Sequence, residues 1–139
     1  MLKRTLIMAA APADFAPAHP ATEKVKKQDS GDTLALTRTP DILKTLGARA
    51  QGKLVVGFAA ETQQLIDYAR DKLERKDLDL VVANDVSRSD AGFGTDTNAV
   101  TLVSRDTIRE VEVAPKEVIA DNILDEVAQR LGSKETQPT

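Results

Sequence analysis

Lysine is the residue type through which this sequence could handle an anion. Lys24, Lys26 and Lys27 crowd into Lys24-Val25-Lys26-Lys27, and Lys72 and Lys76 stand four apart, which on a helix puts both on one face. The chain as a whole is acidic, with a formal net charge of −3 over 139 residues, so these lysines have to be judged as local sites. Two other features suit an anionic, planar ligand. Thr39-Pro40-Asp41 reads as a helix start, whose unpaired N–H groups and positive dipole end favour negative charge. Gly57 to Ala60 carry little side-chain bulk, leaving backbone open to close approach with Phe58 as the aromatic neighbour.

Each of these residues also has an ordinary structural role. Lys72 and Lys76 suit a solvated helix face, Lys24 to Lys27 an exposed basic loop and Phe58 a core position. Asp41 alone would be a first-turn acid, stabilising its helix by about 0.3–1 kcal/mol. His19, the single histidine, lies in a proline-rich stretch, and there is no cysteine, so no histidine- or thiolate-ligated metal site, disulfide or thiol nucleophile is expected.

The elements that would position these residues begin with Leu54-Val55-Val56-Gly57-Phe58-Ala59-Ala60, read as a buried strand turning at Glu61-Thr62 into a long amphipathic helix, Thr62 to Lys76. In open α/β sheets ligands bind outside the carboxyl ends of the strands, which here is the Gly57–Ala60 turn. Upstream, Thr5 to Ala10 reads as strand, and the prolines at 12, 17 and 20 predict an irregular loop. Thr33 to Thr37 alternates as a half-buried strand. Thr39 then caps a helix that buries Ile42, Leu43 and Leu46 and ends by Gly52.

Downstream, Leu78 to Ala83 is a buried strand ended by Asn84-Asp85, followed by a polar, Gly-rich loop to Asn98. Ala99 to Val103 and Ile108 to Val113 form a strand pair around Ser104–Thr107. Pro115 opens a last helix burying Val118, Ile119, Ile123, Val127 and Leu131, with Gly132 as its stop. The expected fold class is α/β, a three-layer, Rossmann-like, mostly parallel sheet with an antiparallel C-terminal strand pair, as one domain over 1–132 with a disordered tail over 133–139.

Composition sets the limits. The 41% apolar and 29% charged content is ordinary for a soluble globular chain, and 3% aromatic content means a core of Val, Leu, Ile and Ala. The acidic balance argues against nucleic acid and anionic membranes as partners. The apolar run near the N-terminus is too short for a membrane helix and leads into Pro12, so a buried strand is preferred to a secretory signal and a cytoplasmic location is expected. There is no G-x-G-x-x-G turn and no P-loop; Gly92-Phe93-Gly94 is too short to serve as either.

Met8-Ala9-Ala10-Ala11-Pro12-Ala13-Asp14-Phe15, Lys24-Val25-Lys26-Lys27, Pro40-Asp41-Ile42, Val56-Gly57-Phe58-Ala59-Ala60-Glu61-Thr62, Ala83-Asn84-Asp85 and Phe93-Gly94-Thr95-Asp96-Thr97-Asn98 occur in this order. Together they resemble phosphopantothenoylcysteine synthetase, the ligase half of the bifunctional bacterial coenzyme A biosynthesis flavoprotein. The resemblance runs from about Leu6 to Leu131. It departs from the family at Pro12, Ala16 and Thr39, where a small aliphatic residue, arginine and asparagine are common. The family's N-terminal Gly-rich nucleotide turn and acyl-cytidylate asparagine have no counterpart here, nor does its flavin-binding decarboxylase. A piece of a longer protein is therefore expected.

The resemblance implies CTP-dependent ligation of 4'-phosphopantothenate with cysteine through an acyl-cytidylate, with Mg²⁺ accompanying CTP and a homodimer or higher homo-oligomer as the assembly. It places Ala10 and Asp14 on a nucleotide-contacting strand end and loop, and Lys24 at nucleotide binding and amide formation. Pro40, Asp41, Ile42 and Leu43 fall on a helix-start segment that touches the nucleotide, Phe58 beside the base, and Lys72 and Lys76 on two nucleotide-binding lysines. A triphosphate carrying roughly four negative charges fits a concentrated cationic pocket with Mg²⁺. Asp14 would contact a hydroxyl or a cation rather than a phosphate. The alternative is a non-catalytic nucleotide-binding or dimer-forming module, with the strand pair from Ala99 to Val113 crossing to a partner subunit. A dinucleotide reductase is disfavoured by the missing fingerprint.

Overall fold

The computed structural model describes residues 4–26, 33–50, 52–90, 92 and 94–133. They cluster into two compact units, Met1–Ala9 with Leu43–Thr139, and Ala10–Ile42.

The larger unit holds a five-stranded sheet in the order β1 (Thr5–Met8), β4 (Leu54–Glu61), β5 (Leu80–Asp85), β6 (Thr97–Val103) and β7 (Ile108–Pro115). β1 pairs parallel with β4 and β4 with β5, while β6 is antiparallel to both β5 and β7. Only β6 therefore runs against the common direction. The sheet is mixed and mostly parallel, with the antiparallel pair at its C-terminal side, as the pattern of the sequence predicts.

Alternation along β4 makes the three layers. Val55 and Ala59 join Leu43 of α1 (Ile42–Ala48) and Ala69 and Leu73 of α2 (Leu65–Arg75) in one core. Leu54 and Val56 join Ile119, Ile123 and Val127 of α3 (Lys116–Ser133) in the other. Strands buried on both faces read as continuous apolar runs, and that is why Leu54–Val56 and Leu80–Ala83 stand out in the sequence. Each such side chain contributes about 1.5–3 kcal/mol when fully buried.

Several expectations are corrected at element ends. Glu61 does not open the helix: it still pairs with Asp85, and the chain turns through Gln64, in the left-handed region at φ 48°, before α2 begins at Leu65. Sheet pairing holds the chain extended for as long as β5 offers partners. Gly132 lies within α3 rather than stopping it, and the helix starts at Lys116, after Pro115 has closed β7. Val118 is 44% exposed and belongs to the solvent side of α3. α1 ends at Ala48, and of its expected buried face Leu43 is in the core while Ile42 and Leu46 stay 46% and 37% exposed. A helix this short meets the core along a single line. The expected tail lies outside the described residues from 134 onward, and Ser133 is the last residue of α3.

The smaller unit is a two-stranded antiparallel ribbon of β2 (Phe15–Pro17) and β3 (Leu36–Arg38). The proline-rich stretch is thus not wholly irregular. Pro17 ends its strand opposite Leu36, a position where a missing N–H can be tolerated. The alternating run at Leu34 and Leu36 is exposed rather than half-buried, at 67% and 56%. Thr39 does not cap α1. Its Oγ1 donates to the Ala13 carbonyl at 2.5 Å and its N–H to the Asp14 carbonyl at 3.0 Å, so Asp41 is the residue preceding the first helical turn.

Candidate functional site

The carboxyl ends of β4 and β5 carry Glu61, Asn84 and Asp85. β1 pairs with β4 only as far as Met8 opposite Gly57. The next residue, Phe58, turns its carbonyl to Lys72 of α2, whose Nζ donates at 2.5 Å. Lys72 is half-buried and so is Lys76, which sits at the C-cap with its N–H bonded to the Lys72 carbonyl at 3.1 Å. Neither lysine is part of a fully solvated face. The Phe58 ring packs against the core cluster on the α3 side. Leu43, 6% exposed, commits its side chain to the core, which leaves any ligand contact there to backbone.

In the sequence Asn84 marks the end of a strand and belongs to the Ala83-Asn84-Asp85 motif. In the structure its Oδ1 is buried and has no hydrogen-bond partner among the described residues. Such an atom costs about 1–3 kcal/mol, so it calls for an explanation, and a ligand donor is one. Gly92 lies over the amide: a Cβ there would come within 3.7 Å of Asn84 Nδ2, and the φ of 105° is one that glycine adopts readily. The loop is held by Gly92 N–H on the Thr97 carbonyl at 3.0 Å and by Thr95 Oγ1 on the same carbonyl at 2.9 Å. The Ala83-Asn84-Asp85 motif was the available sequence signal, but burial of one amide oxygen cannot be read from residue types.

Next to Asn84, Asp85 accepts from Ser87 Oγ at 2.6 Å and from Ser87 N–H at 2.9 Å. The Ser87 hydroxyl first, then the Ser87 N–H and the charge of Arg88, hold the Asp85 carboxyl below its ordinary value against a small desolvation effect. Asp85 is therefore an anion at neutral pH and neighbours Glu61 across the sheet. Asn98 serves locally, its Oδ1 accepting from Ala99 N–H at 2.9 Å.

In the ribbon unit, the hydrogen bonds of Thr39 bring Ala13-Asp14 alongside Thr39-Pro40-Asp41. Two of the sequence-predicted segments, far apart along the chain, are adjacent there. Ala10, Asp14, Lys24, Pro40, Asp41 and Ile42 are all exposed. Lys26 is exposed as well, while Lys27 and Phe93 lie outside the described residues. Among the described residues no group of three or more His, Cys, Asp or Glu side chains is placed to hold a metal ion. No helix among them is long and apolar enough to cross a membrane.

Two clefts, of about 460 and 780 Å³, flank the β6–β7 turn at the opposite end of the strands. Three of the lining arginines are matched by carboxylates, Arg105 with Asp77 at 2.7 Å, Arg130 with Glu126 at 2.8 Å and Arg109 with Glu126 at 3.4 Å. Ser104, 3% exposed, gives its Oγ to Asp106 and accepts from Arg130. This end is a hydrogen-bonded clamp between the hairpin and α3, and its cavities are larger than its chemistry warrants.

Residues 2–131 match the DNA/pantothenate metabolism flavoprotein C-terminal domain, nearly the whole chain. The chain belongs to that family. Among curated relatives of the DNA/pantothenate metabolism flavoprotein C-terminal domain, the coenzyme A biosynthesis bifunctional protein CoaBC of Bacillus subtilis (strain 168) is 51% identical over 124 residues, covering 88% of this chain and 30% of the relative. The CoaBC of Escherichia coli (strain K12) is 42% identical over 129 residues, 90% of this chain and 32% of its own length. The chain thus spans about a third of the curated relatives it matches. A solved C-terminal domain of CoaBC superposes with a TM-score of 0.73 at 32% identity, over 94% of this chain and 56% of that one. The DNA/pantothenate metabolism flavoprotein from Streptococcus pneumoniae has the same TM-score at 22% identity, over 91% and 63%, and speaks for the fold alone.

Proposed function

We propose that this chain acts in coenzyme A biosynthesis as the C-terminal part of a CTP-dependent ligase joining 4'-phosphopantothenate to cysteine. The observation that carries the reading is the 51% identity to a coenzyme A biosynthesis protein across 88% of this chain. In the reaction, the substrate carboxylate displaces pyrophosphate from the α-phosphorus of CTP. The cysteine amine then attacks the acyl-cytidylate, forming the amide and releasing CMP.

The residues assigned to this chemistry are Lys24 for the amide-forming step and Ala10, Asp14, Lys24, Pro40, Asp41, Ile42, Leu43, Phe58, Lys72 and Lys76 for CTP. Asn84 joins them on the strength of its unpartnered oxygen, which could accept from an amino group of the ligand. An ammonium at Lys24 would stabilise charge growing on the acyl oxygen and on the departing phosphate. Mg²⁺ would neutralise the triphosphate. It needs only one or two protein carboxylates when phosphates supply the other oxygens, and Asp14 and Asp41 fit that requirement by chemistry and exposure.

A homodimer is part of the same reading. A two-stranded ribbon is marginal by itself, and this one leaves Phe15 50% and Leu36 56% exposed, on one face since Phe15 pairs with Arg38 and Pro17 with Leu36. A second copy is the occupant that symmetry supplies. The cytoplasm, where nucleoside triphosphates are made, is the expected site of action.

Thermal-shift titration tests the nucleotide assignment. CTP with Mg²⁺ should raise the melting temperature and NADPH should leave it unchanged. Pyrophosphate release in the presence of phosphopantothenate separates a ligase from a binding module. Stabilisation by CTP without release would favour the module, and no stabilisation by CTP would remove the nucleotide assignment.

A further inference from the structure

Four of the residues assigned to CTP are linked within the sheet unit into a circuit that closes through two glycines, Gly57 and Gly47. A Cβ on Gly57 would stand 3.0 Å from Leu43 Cδ2 and 2.8 Å from Leu78 Cδ1, so α1 reaches β4 through the space that Gly57 leaves. Phe58 is the next residue of β4, and its carbonyl takes the Lys72 ammonium. The Lys72 carbonyl in turn takes the N–H of Lys76. The carbonyl oxygen of Lys76 is pressed onto Gly47, where a Cβ would overlap it. Gly47 lies one turn after Leu43 in α1, and the circuit closes.

Neither glycine is required for its backbone conformation. The glycines with positive φ among the described residues are Gly52, Gly92 and Gly94. At Gly47 and Gly57 the requirement is space, and both spaces are filled by groups next to, or belonging to, the assigned nucleotide residues. The side-chain face of Gly57 is thus given over to packing against Leu43 and Leu78. A densely packed contact of this kind transmits displacement rather than absorbing it.

We propose that Gly47 and Gly57 are positioning residues that hold Leu43, Phe58, Lys72 and Lys76 as one preset body for the nucleotide. The inference rests on the CTP reading above and adds how the site is held in shape. Neither glycine touches the ligand. A methyl group at Gly47 separates α1 from the end of α2, and a methyl group at Gly57 lifts Leu43 away from the strand that carries Phe58. Preset geometry of this kind lowers the ordering cost of binding.

The test uses the full 139-residue chain with Gly47→Ala, Gly57→Ala and, as a stability control in the opposite core, Val127→Ala, a residue 6% exposed among the α3 contacts. CTP affinity is measured by calorimetry at a temperature where every variant is folded, and amide hydrogen exchange is mapped on each without ligand. The expected result is a CTP dissociation constant at least tenfold weaker in both glycine variants and within twofold of the parent in Val127→Ala. Exchange should quicken at Phe58, Lys72 and Lys76 in the glycine variants but not in the control. Should Gly47→Ala fail to fold, Gly57→Ala decides, because its new methyl meets the ends of side chains that can yield. Unchanged CTP affinity in a folded glycine variant, or quickened exchange confined to α1, overturns the inference. A parent chain that does not bind CTP sinks the nucleotide reading and the positioning role with it, while the exchange map still reports whether the circuit moves as one body.

Discussion

Lys72 donates from Nζ to the carbonyl oxygen of Phe58 at 2.5 Å, tying the middle of α2 to the end of β4. A carbonyl one residue beyond the last β1 partner is otherwise a loose end of the sheet. Replacing Lys72 with Met keeps the apolar stem and removes the donor. The expected loss is about 1 kcal/mol in urea unfolding, with a weaker thermal shift by CTP. An unchanged unfolding midpoint would show that this bond contributes nothing to the fold.

Glu126 receives Arg130 at 2.8 Å and Arg109 at 3.4 Å with its side chain only 11% exposed. Arg109 also donates to the Asn122 side chain at 3.2 Å, so one carboxylate fastens β7 and the β6–β7 turn to α3. Glu126→Gln leaves two guanidinium groups facing each other without their shared anion. We expect a loss of roughly 2 kcal/mol, seen as a lower urea midpoint at constant slope. CTP binding, which the proposed site puts at the other end of the strands, should be preserved. A loss below about 0.5 kcal/mol would reduce the cluster to ordinary surface pairing.

Asp85 sets an acid limb to stability. Its folded-state carboxyl titrates below the ordinary value, chiefly through the Ser87 hydroxyl. The stabilisation is therefore fully present above the unfolded value, about 3.9, and is lost as pH falls through the lower, folded value. Asp85→Asn removes that contribution, so its melting temperature should fall less than the parent's between pH 6 and pH 2.5. Parallel pH profiles of parent and variant would refute the assignment.

How much of this could be read from residue order follows from the range of the interactions involved. The buried runs Leu54–Val56 and Leu80–Ala83 and the spacing Ile119, Ile123, Val127 carry their own periodicity, and the three layers follow from them. The helix starts were misplaced because Glu61 stays paired with Asp85 and Thr39 turns its hydroxyl to Ala13, and both partners are remote in sequence. The lysine pair at 72 and 76 was visible as a shared face. That one of the two ends on a strand carbonyl was not, since nothing in the spacing says where a flexible stem will reach. The unpartnered oxygen of Asn84 is illegible for a related reason: an amide looks the same in sequence whether its oxygen is satisfied or not.

That oxygen yields the sharpest separation of stability from function. A buried acceptor without a donor is a cost the fold carries, and an apolar group of similar size removes it. Asn84→Leu should therefore leave stability unchanged within about 0.5 kcal/mol or raise it by up to about 1 kcal/mol, against the usual trend for substitutions at strand ends in a core. If Asn84 meets the nucleotide, the same variant should lose most of the CTP-induced rise in melting temperature, a gain in stability at the expense of binding. Unfolding in urea and CTP titration on one preparation measure both. A destabilisation above 1 kcal/mol would mean that the amide has a structural partner, and an undiminished response to CTP would take Asn84 out of the site.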